Sequence, residues 1–140
     1  MTRFLTILVL SLLLSACGGE SLEDRIAAAE SLPDLIVVIT GREPKSSYFV
    51  ESTRYLHIEF DDDKGGTIPG RLLDIKRMMP EMLNRYPEAD RLFFGWKLDG
   101  VFYIKANFER SKVAHLRWDA ISVHDIPSVA QEYWVHPAVK

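Results

Sequence analysis

Cysteine is almost absent from this 140-residue sequence, which has only Cys17. A single cysteine cannot form a disulfide within the chain, and it cannot supply the thiolates of a structural zinc site. Disulfide-stapled scaffolds and cysteine-zinc folds are therefore excluded. The stability of the folded part must come from packing, for which a chain of this length is sufficient.

The short motifs of common catalytic and phosphate-binding sites are also missing. The sequence has no Gly-x-Ser-x-Gly turn for a serine nucleophile, and its glycine-rich segment, residues 65–71, has no phosphate-loop lysine. The acidic segment that begins at Asp61 fails as a calcium loop, because Leu72 occupies the twelfth position, where a bidentate Glu is required. We therefore expect neither an enzyme nor a bound cofactor.

No apolar run is long enough to remain in a bilayer as a helix. The run from Phe4 to Ala16 would rise about 20 Å at ~1.5 Å per residue, whereas the hydrocarbon core is about 30 Å thick. The run follows Arg3 and ends in small residues, which is typical of a cleavable export signal. Its last four residues, Leu14-Ser15-Ala16-Cys17, resemble the lipobox of bacterial lipoproteins.

This resemblance implies that residues 1–16 are removed and that Cys17 becomes a lipid-anchored first residue. Each buried acyl methylene contributes about 0.8 kcal/mol, so several chains would hold the protein firmly to a lipid bilayer. Lipidation would also block the only thiol of the chain, so that it could no longer react. Gly18 and Gly19 lack the Asp that favours inner-membrane retention in such proteins, so the expected location is the cell envelope, at the periplasmic face of the outer membrane.

The charge of the expected mature chain is weakly acidic. With Arg3 removed, 16 Lys and Arg face 20 Asp and Glu, a balance of −4. Such a chain attracts neither nucleic acid nor anionic headgroups through its total charge. The acyl chains on Cys17 are therefore the expected membrane anchor, followed by a short tether, residues 17–20.

Residues 21–140 are predicted to form one α+β domain. A small, mostly antiparallel sheet of four to five strands is expected, with helices packed on it. The predicted helices cover residues 21–29, 68–86 with a kink or break at Pro80, a short segment after Ser111, and Ile126 to Trp134 capped by Asp125. The predicted strands cover residues 35–39, 48–50, 55–60, 91–98 and 101–108.

The clearest local signal is Asp99-Gly100 between two apolar runs, which predicts a two-residue hairpin turn. With Leu98 opposite Val101, alternation makes both faces of this hairpin apolar. One face would hold Leu92, Phe94, Trp96, Leu98, Val101 and Tyr103, and the other Phe93, Phe102, Ile104, Ala106 and Phe108. Either helices and the segment 111–140 cover these faces as core, or one face is open for a partner.

An open face with Phe94, Trp96 and Tyr103 would suit a protein interface. The expected function is accordingly a non-catalytic envelope lipoprotein that binds another envelope protein or assembles with itself. The alternative is binding of a metal or small ligand by His57, Glu59 and Asp61, which alternate along one predicted strand face. A hydrolase of envelope polymers is a weaker third interpretation, because only scattered Asp, Glu and His are present.

Overall fold

The computed structural model describes residues 19–62 and 66–139. The predicted export signal, residues 1–16, the predicted lipidation site Cys17 and Gly18 lie outside the described residues. Within the described ranges, no helix combines the length and apolar character needed to cross a membrane. The elements in chain order are α1 Leu22–Ala28, α2 Leu32–Thr40, β1 Ser46–Val50, β2 Tyr55–Asp62, α3 Ile68–Arg85, β3 Arg91–Leu98, β4 Val101–Glu109, α4 Arg110–Val113, a 3-10 turn Val123–Asp125, α5 Ile126–Val129 and β5 Glu132–Val135.

The five strands form one sheet in the order β1-β2-β3-β4-β5. Three neighbouring pairs are antiparallel, whereas β2 and β3 are parallel and are joined through α3. A parallel pair requires such a crossover, because its two strands begin at the same end of the sheet. The prediction of an α+β fold with a mostly antiparallel sheet is confirmed.

The predicted helix at the start of the domain is confirmed, with the Ser21 hydroxyl accepting from the Asp24 amide. The predicted strand at 35–39 is wrong, because these residues belong to α2. Ser31 caps this helix, Pro33 occupies its first turn, and Gly41 ends it by donating to the Val37 carbonyl. These end signals, together with burial of one helical face, outweigh the strand preference of the β-branched run.

The long helix α3 provides most of the helical side of the core. It remains a single helix with Pro80 in its interior, rather than two short helices. The predicted apolar stripe is buried as expected at Leu72, Ile75, Met79 and Met82, and Met78 joins it. This stripe and the buried face of α2 pack with the apolar residues of β2, β3 and β4 in one core.

The C-terminal segment departs most from its predicted structure. The expected helix from Ile126 to Trp134 stops at Val129, because Ala130 adopts an extended backbone. Residues 132–135 then form β5 along β4. The predicted short helix after Ser111 is present only as the four-residue α4, which includes Ser111. Half-buried and exposed residues alternate along β5, as is typical of a strand. From the sequence, a helix is predicted over most of the same residues.

The hairpin at Asp99-Gly100 is confirmed, with both residues at positive φ and Leu98 paired with Val101. Its predicted faces are partly wrong, because the register shifts by one residue between Trp96 and Lys97, leaving Tyr103 unpaired. Such a β-bulge inserts one residue into one strand. Beyond the bulge, Ile104, Ala106 and Phe108 therefore pair with Trp96, Phe94 and Leu92, and all six lie in the core.

Candidate functional site: the open face of the sheet

The sheet has one face packed against helices and one face whose side chains contact each other. We call the second one the open face. Its central feature is a set of aromatic side chains and one lysine that crosses all five strands, which we call the ring stripe. In order across the sheet, the ring stripe consists of Tyr48, His57, Phe93, Phe102, Lys105 and Trp134.

The first half of the ring stripe is a stack of three parallel rings on β1, β2 and β3. Tyr48 lies 4.7 Å from His57 with 10° between the ring planes, and His57 lies 4.8 Å from Phe93 with 17° between them. These centroid distances equal the spacing of neighbouring strands, about 4.7–4.9 Å. The three rings therefore stand side by side in register, one on each strand.

The centre of the ring stripe depends on a glycine. A Cβ atom at Gly95 would lie 2.6 Å from Phe102 Cε1 and 2.7 Å from Phe93 Cζ. The two rings close over the bare Cα in an edge-to-face arrangement, with centroids 5.8 Å apart. Phe93 is 7% exposed although it lies on the open face, outside the main core. The open face thus has a small packed centre of its own.

The second half of the ring stripe holds a cation between two rings. Lys105 Nζ lies 4.8 Å from the Trp134 ring centroid and 5.8 Å from that of Phe102. In the described chain no carboxylate forms a salt bridge with Lys105, although three other lysines have one. Trp134 is 40% exposed. This end of the open face therefore offers solvent an apolar ring beside an unneutralised positive charge.

Polar side chains line the ring stack on β2. The Tyr55 hydroxyl lies 3.2 Å from His57 Nδ1, and His57 Nε2 lies 3.5 Å from Glu59 Oε1. The other carboxylate oxygen of Glu59 is 3.2 Å from Lys97 Nζ. Burial lowers the pKa of His57, and the nearby Glu59 carboxylate only partly opposes this. His57 is therefore neutral at neutral pH.

We predict that His57 makes the stability of the protein pH-dependent. As the pH falls, the unfolded chain protonates His57 near its ordinary pKa of about 6.5, whereas the folded chain does so only at a lower pH. Between these two values the unfolded state binds more protons, so the free energy of unfolding falls as the pH falls. Urea unfolding at several pH values should show wild type losing more stability below about pH 6.5 than His57→Gln. Equal pH slopes would contradict this assignment.

The residues that the sequence analysis proposed for partner binding lie on the opposite side of the sheet. Phe94 and Trp96 are fully buried, and Tyr103 is 4% exposed. The helices cover that side, so a partner cannot reach Phe94 or Trp96 while the domain is folded. The aromatic surface available to a partner is instead the ring stripe, which includes Phe93 and Phe102 of the second predicted hairpin face and Trp134 of the predicted C-terminal helix.

The proposed metal candidates do share one strand face, as their spacing of two predicted. His57 and Glu59 are adjacent, but Lys97 contacts Glu59, and the Asp61 carboxylate lies 3.5 Å from Lys45 Nζ. Among the residues that the structure describes, no group of three or more His, Cys, Asp or Glu could hold a metal ion.

A second notable cluster lies on the helix side and was not anticipated from the sequence. The Asp62 carboxylate accepts two hydrogen bonds from Arg71, at 3.0 and 2.8 Å, and further ones from Arg42 and the Tyr103 hydroxyl. Asp74 pairs with Arg71 at 3.4 Å. Burial raises the pKa of Tyr103, and its hydrogen bond to Asp62 adds to this. Two arginines balance two aspartates here, so the cluster supports structure by joining β2, α3 and β4.

Sequence reasoning missed both arrangements for identifiable reasons. The buried cluster joins residues far apart in the chain, and its only local signal is Arg71 three residues before Asp74 on one helix. The ring stripe depends on the bulge in β4 and on the strand order. No protein-family model, curated protein or solved structure was found to match this chain.

Proposed function

We propose that this protein is a lipid-anchored, non-catalytic binding protein of the bacterial cell envelope, and that the open face of its sheet binds another envelope protein. The single observation that carries the proposal is the ring stripe. It presents two large, partly exposed aromatic side chains, Tyr48 and Trp134, around a packed centre. Aromatic residues supply large contact area at low entropic cost, and they dominate the energetics of protein interfaces.

The anchor and the open face are compatible in their placement. Glu20, the last residue of the proposed tether, lines the same shallow depression as Asp34 and Val38 of α2, a helix that packs on the helix side of the sheet. A tether from Cys17 to Glu20 spans at most about 3.3–3.6 Å per residue. With Cys17 lipidated, the helix layer would face the bilayer, and the open face would point away from it toward soluble or opposing partners.

The chemistry of the open face indicates the kind of partner. Lys105 has no carboxylate partner in the described part of the chain, and Trp134 beside it exposes an apolar ring. A complementary surface would supply a carboxylate to Lys105 and apolar side chains to Trp134 and Tyr48. The proposed partner is therefore a protein with an acidic and apolar contact patch, rather than a nucleic acid.

Capture of partners from solubilised membranes tests the proposal. Tagged protein carrying Trp134→Ala together with Lys105→Ala should lose its partner at least about tenfold, because an exposed ring and a steering charge are removed from the contact. Val101→Ala is the matched control, since Val101 is an exposed apolar residue outside the ring stripe. Retention of every partner by the folded double variant would refute the role of the open face.

The alternative of metal or small-ligand binding has less support. Lys97 occupies the space beside Glu59 where a cation would lie. A depression of about 260 Å³ on the open face, between Tyr55, Arg91, Asn107 and Glu132, is lined mostly by polar and charged side chains, whereas ligand pockets are lined mostly by apolar ones. No contact in the described chain favours this function over protein binding.

A further inference from the structure

We propose that two copies of this protein pair through the free edge of β1 and join their sheets into one. Antiparallel pairing of β1 with its symmetry mate about Tyr48 would build a symmetric dimer. This goes beyond the open-face partner, because it uses the backbone edge of the sheet rather than its surface.

Strand β1 is an unprotected edge of the sheet. In the described chain β1 has a strand neighbour only on one side, β2. Its five residues, Ser46–Val50, include neither proline nor a charged side chain, and those are the features with which proteins block strand edges. The other edge strand, β5, is shorter and begins with Glu132. Of the two edges, β1 is the one suited to adding a strand.

The ring stack ends at β1 with an exposed ring. Tyr48 is 45% exposed, and its inner side stacks on His57. A further strand beside β1 would place a side chain about one strand spacing from Tyr48. Tyr48 is the central residue of β1, so symmetric pairing places the two Tyr48 rings together and continues the stack across the interface.

The charged residues that flank β1 are complementary in that register. Antiparallel pairing centred on Tyr48 sets residue 47 opposite 49 and residue 45 opposite 51. Lys45 and Glu51, which flank β1, therefore lie opposite each other at both ends of the pair, where Lys45 can reach Glu51 of the other copy as well as Asp61 of its own chain. Both side chains are exposed, and opposite charges facing each other across strands stabilise the pairing. A two-fold contact of this kind closes on itself and does not propagate into a fibre.

The dimer also fits the membrane anchoring of the proposed function, on which this step rests. Pairing that keeps both Tyr48 side chains on the same side of the joined sheet has its two-fold axis perpendicular to the sheet. The two helix layers, and the Glu20 ends beside them, then lie on one side of the dimer. Two lipid anchors could enter the same bilayer, where confinement raises the effective concentration of each copy for the other.

Disulfide trapping in the membranes of cells producing the full chain tests this inference. Opposite residues in an antiparallel pair have Cα atoms about 4.5–5.5 Å apart, within the range that a disulfide spans. Tyr48→Cys should give a disulfide-linked dimer under mild oxidation. Trp134→Cys is the matched control, since it is similarly exposed on the other edge strand, and it should stay monomeric together with the wild type.

Charge exchange provides a second readout in the Tyr48→Cys background. Lys45→Glu should lower the dimer yield about threefold or more, because it places like charges opposite each other. Adding Glu51→Lys should restore the yield. Failure of this restoration would overturn the proposed register, and failure of Tyr48→Cys to cross-link while present at normal levels would overturn the pairing.

A measurement on the wild-type chain covers the case in which Tyr48→Cys does not fold. Lys45 and Glu51 of one chain lie about 20 Å apart along the strand at ~3.3 Å per residue, too far for a zero-length amine-carboxylate cross-link. A Lys45–Glu51 cross-link between light and heavy isotope-labelled copies would support the dimer, and its absence would count against it. If Tyr48→Cys cross-links to a different protein instead, that protein and not a second copy is the partner at the β1 edge, and the proposed dimer is refuted. Partner capture by the open face is scored separately, so either proposal can fail alone.

Discussion

Replacing Asp62 with Asn is expected to lower the free energy of unfolding by about 3–5 kcal/mol, among the largest effects of any single substitution in this protein. The Asp62 carboxylate is almost fully buried, and it is contacted by Arg71, Arg42 and Tyr103. Removing its charge leaves two guanidinium groups with only Asp74 to balance them. Urea unfolding followed by tryptophan fluorescence would measure the loss.

The neighbouring residue supplies the control. Asp61 precedes Asp62 on the same strand, but its side chain is 46% exposed, and it pairs with Lys45 at 3.5 Å. Asp61→Asn should change the unfolding free energy by less than about 1 kcal/mol, as is usual for exposed ion pairs. Similar small losses for both variants would show that water, and not the buried charges, stabilises the cluster.

Trp96→Ala is expected to destabilise the protein by about 3–5 kcal/mol, because it removes a large side chain from a closed core. Trp96 is fully buried and stacks on Phe60 with ring centroids 5.4 Å apart. Its indole N–H has no hydrogen-bond partner in the described chain. Trp96→Phe should therefore lose less than about 2 kcal/mol, since it removes an unsatisfied donor along with part of the ring.

A comparison with Trp134 distinguishes the core from the open face. Trp134→Ala should lower stability by less than about 1 kcal/mol, since it removes a partly exposed ring and one cation–π contact. Trp96→Ala is thus expected to destabilise the fold, whereas Trp134→Ala is expected to weaken partner binding. Near-equal unfolding free energies for Trp96→Ala and wild type would contradict the burial of Trp96 in the core.

The hairpin illustrates how far local sequence determines this fold. Asp99-Gly100 predicts the turn, and the alternation of Leu92, Phe94 and Trp96 correctly places one face of β3. The prediction is wrong on β4, because the extra residue at Tyr103 interrupts the regular alternation of side chains between the two faces. The bulge has no strong sequence signal, and it decides which side chains reach the open face.

The segment at 35–39 shows a different kind of failure. Its β-branched run is a genuine strand preference, but the capping residues Ser31 and Gly41 predict a helix over the same stretch. Strand preference depends on a neighbouring strand, which this segment does not have, whereas caps act locally. The ring stripe was beyond prediction for a related reason, since its members come from all five strands, which only the sheet order brings together.

The single parallel seam between β2 and β3 divides the described chain into two local units. The β1–β2 and β3–β4 hairpins each pair strands that are close in sequence, so both can form within microseconds. The seam between them pairs residues 36 positions apart, such as Tyr55 with Arg91, and it requires α3 to be in place. Long-range parallel pairing is slow, so joining the hairpins should limit the folding rate. Until then each hairpin has an unpaired edge at the seam, and the folding chain is expected to be most prone to aggregate at this stage.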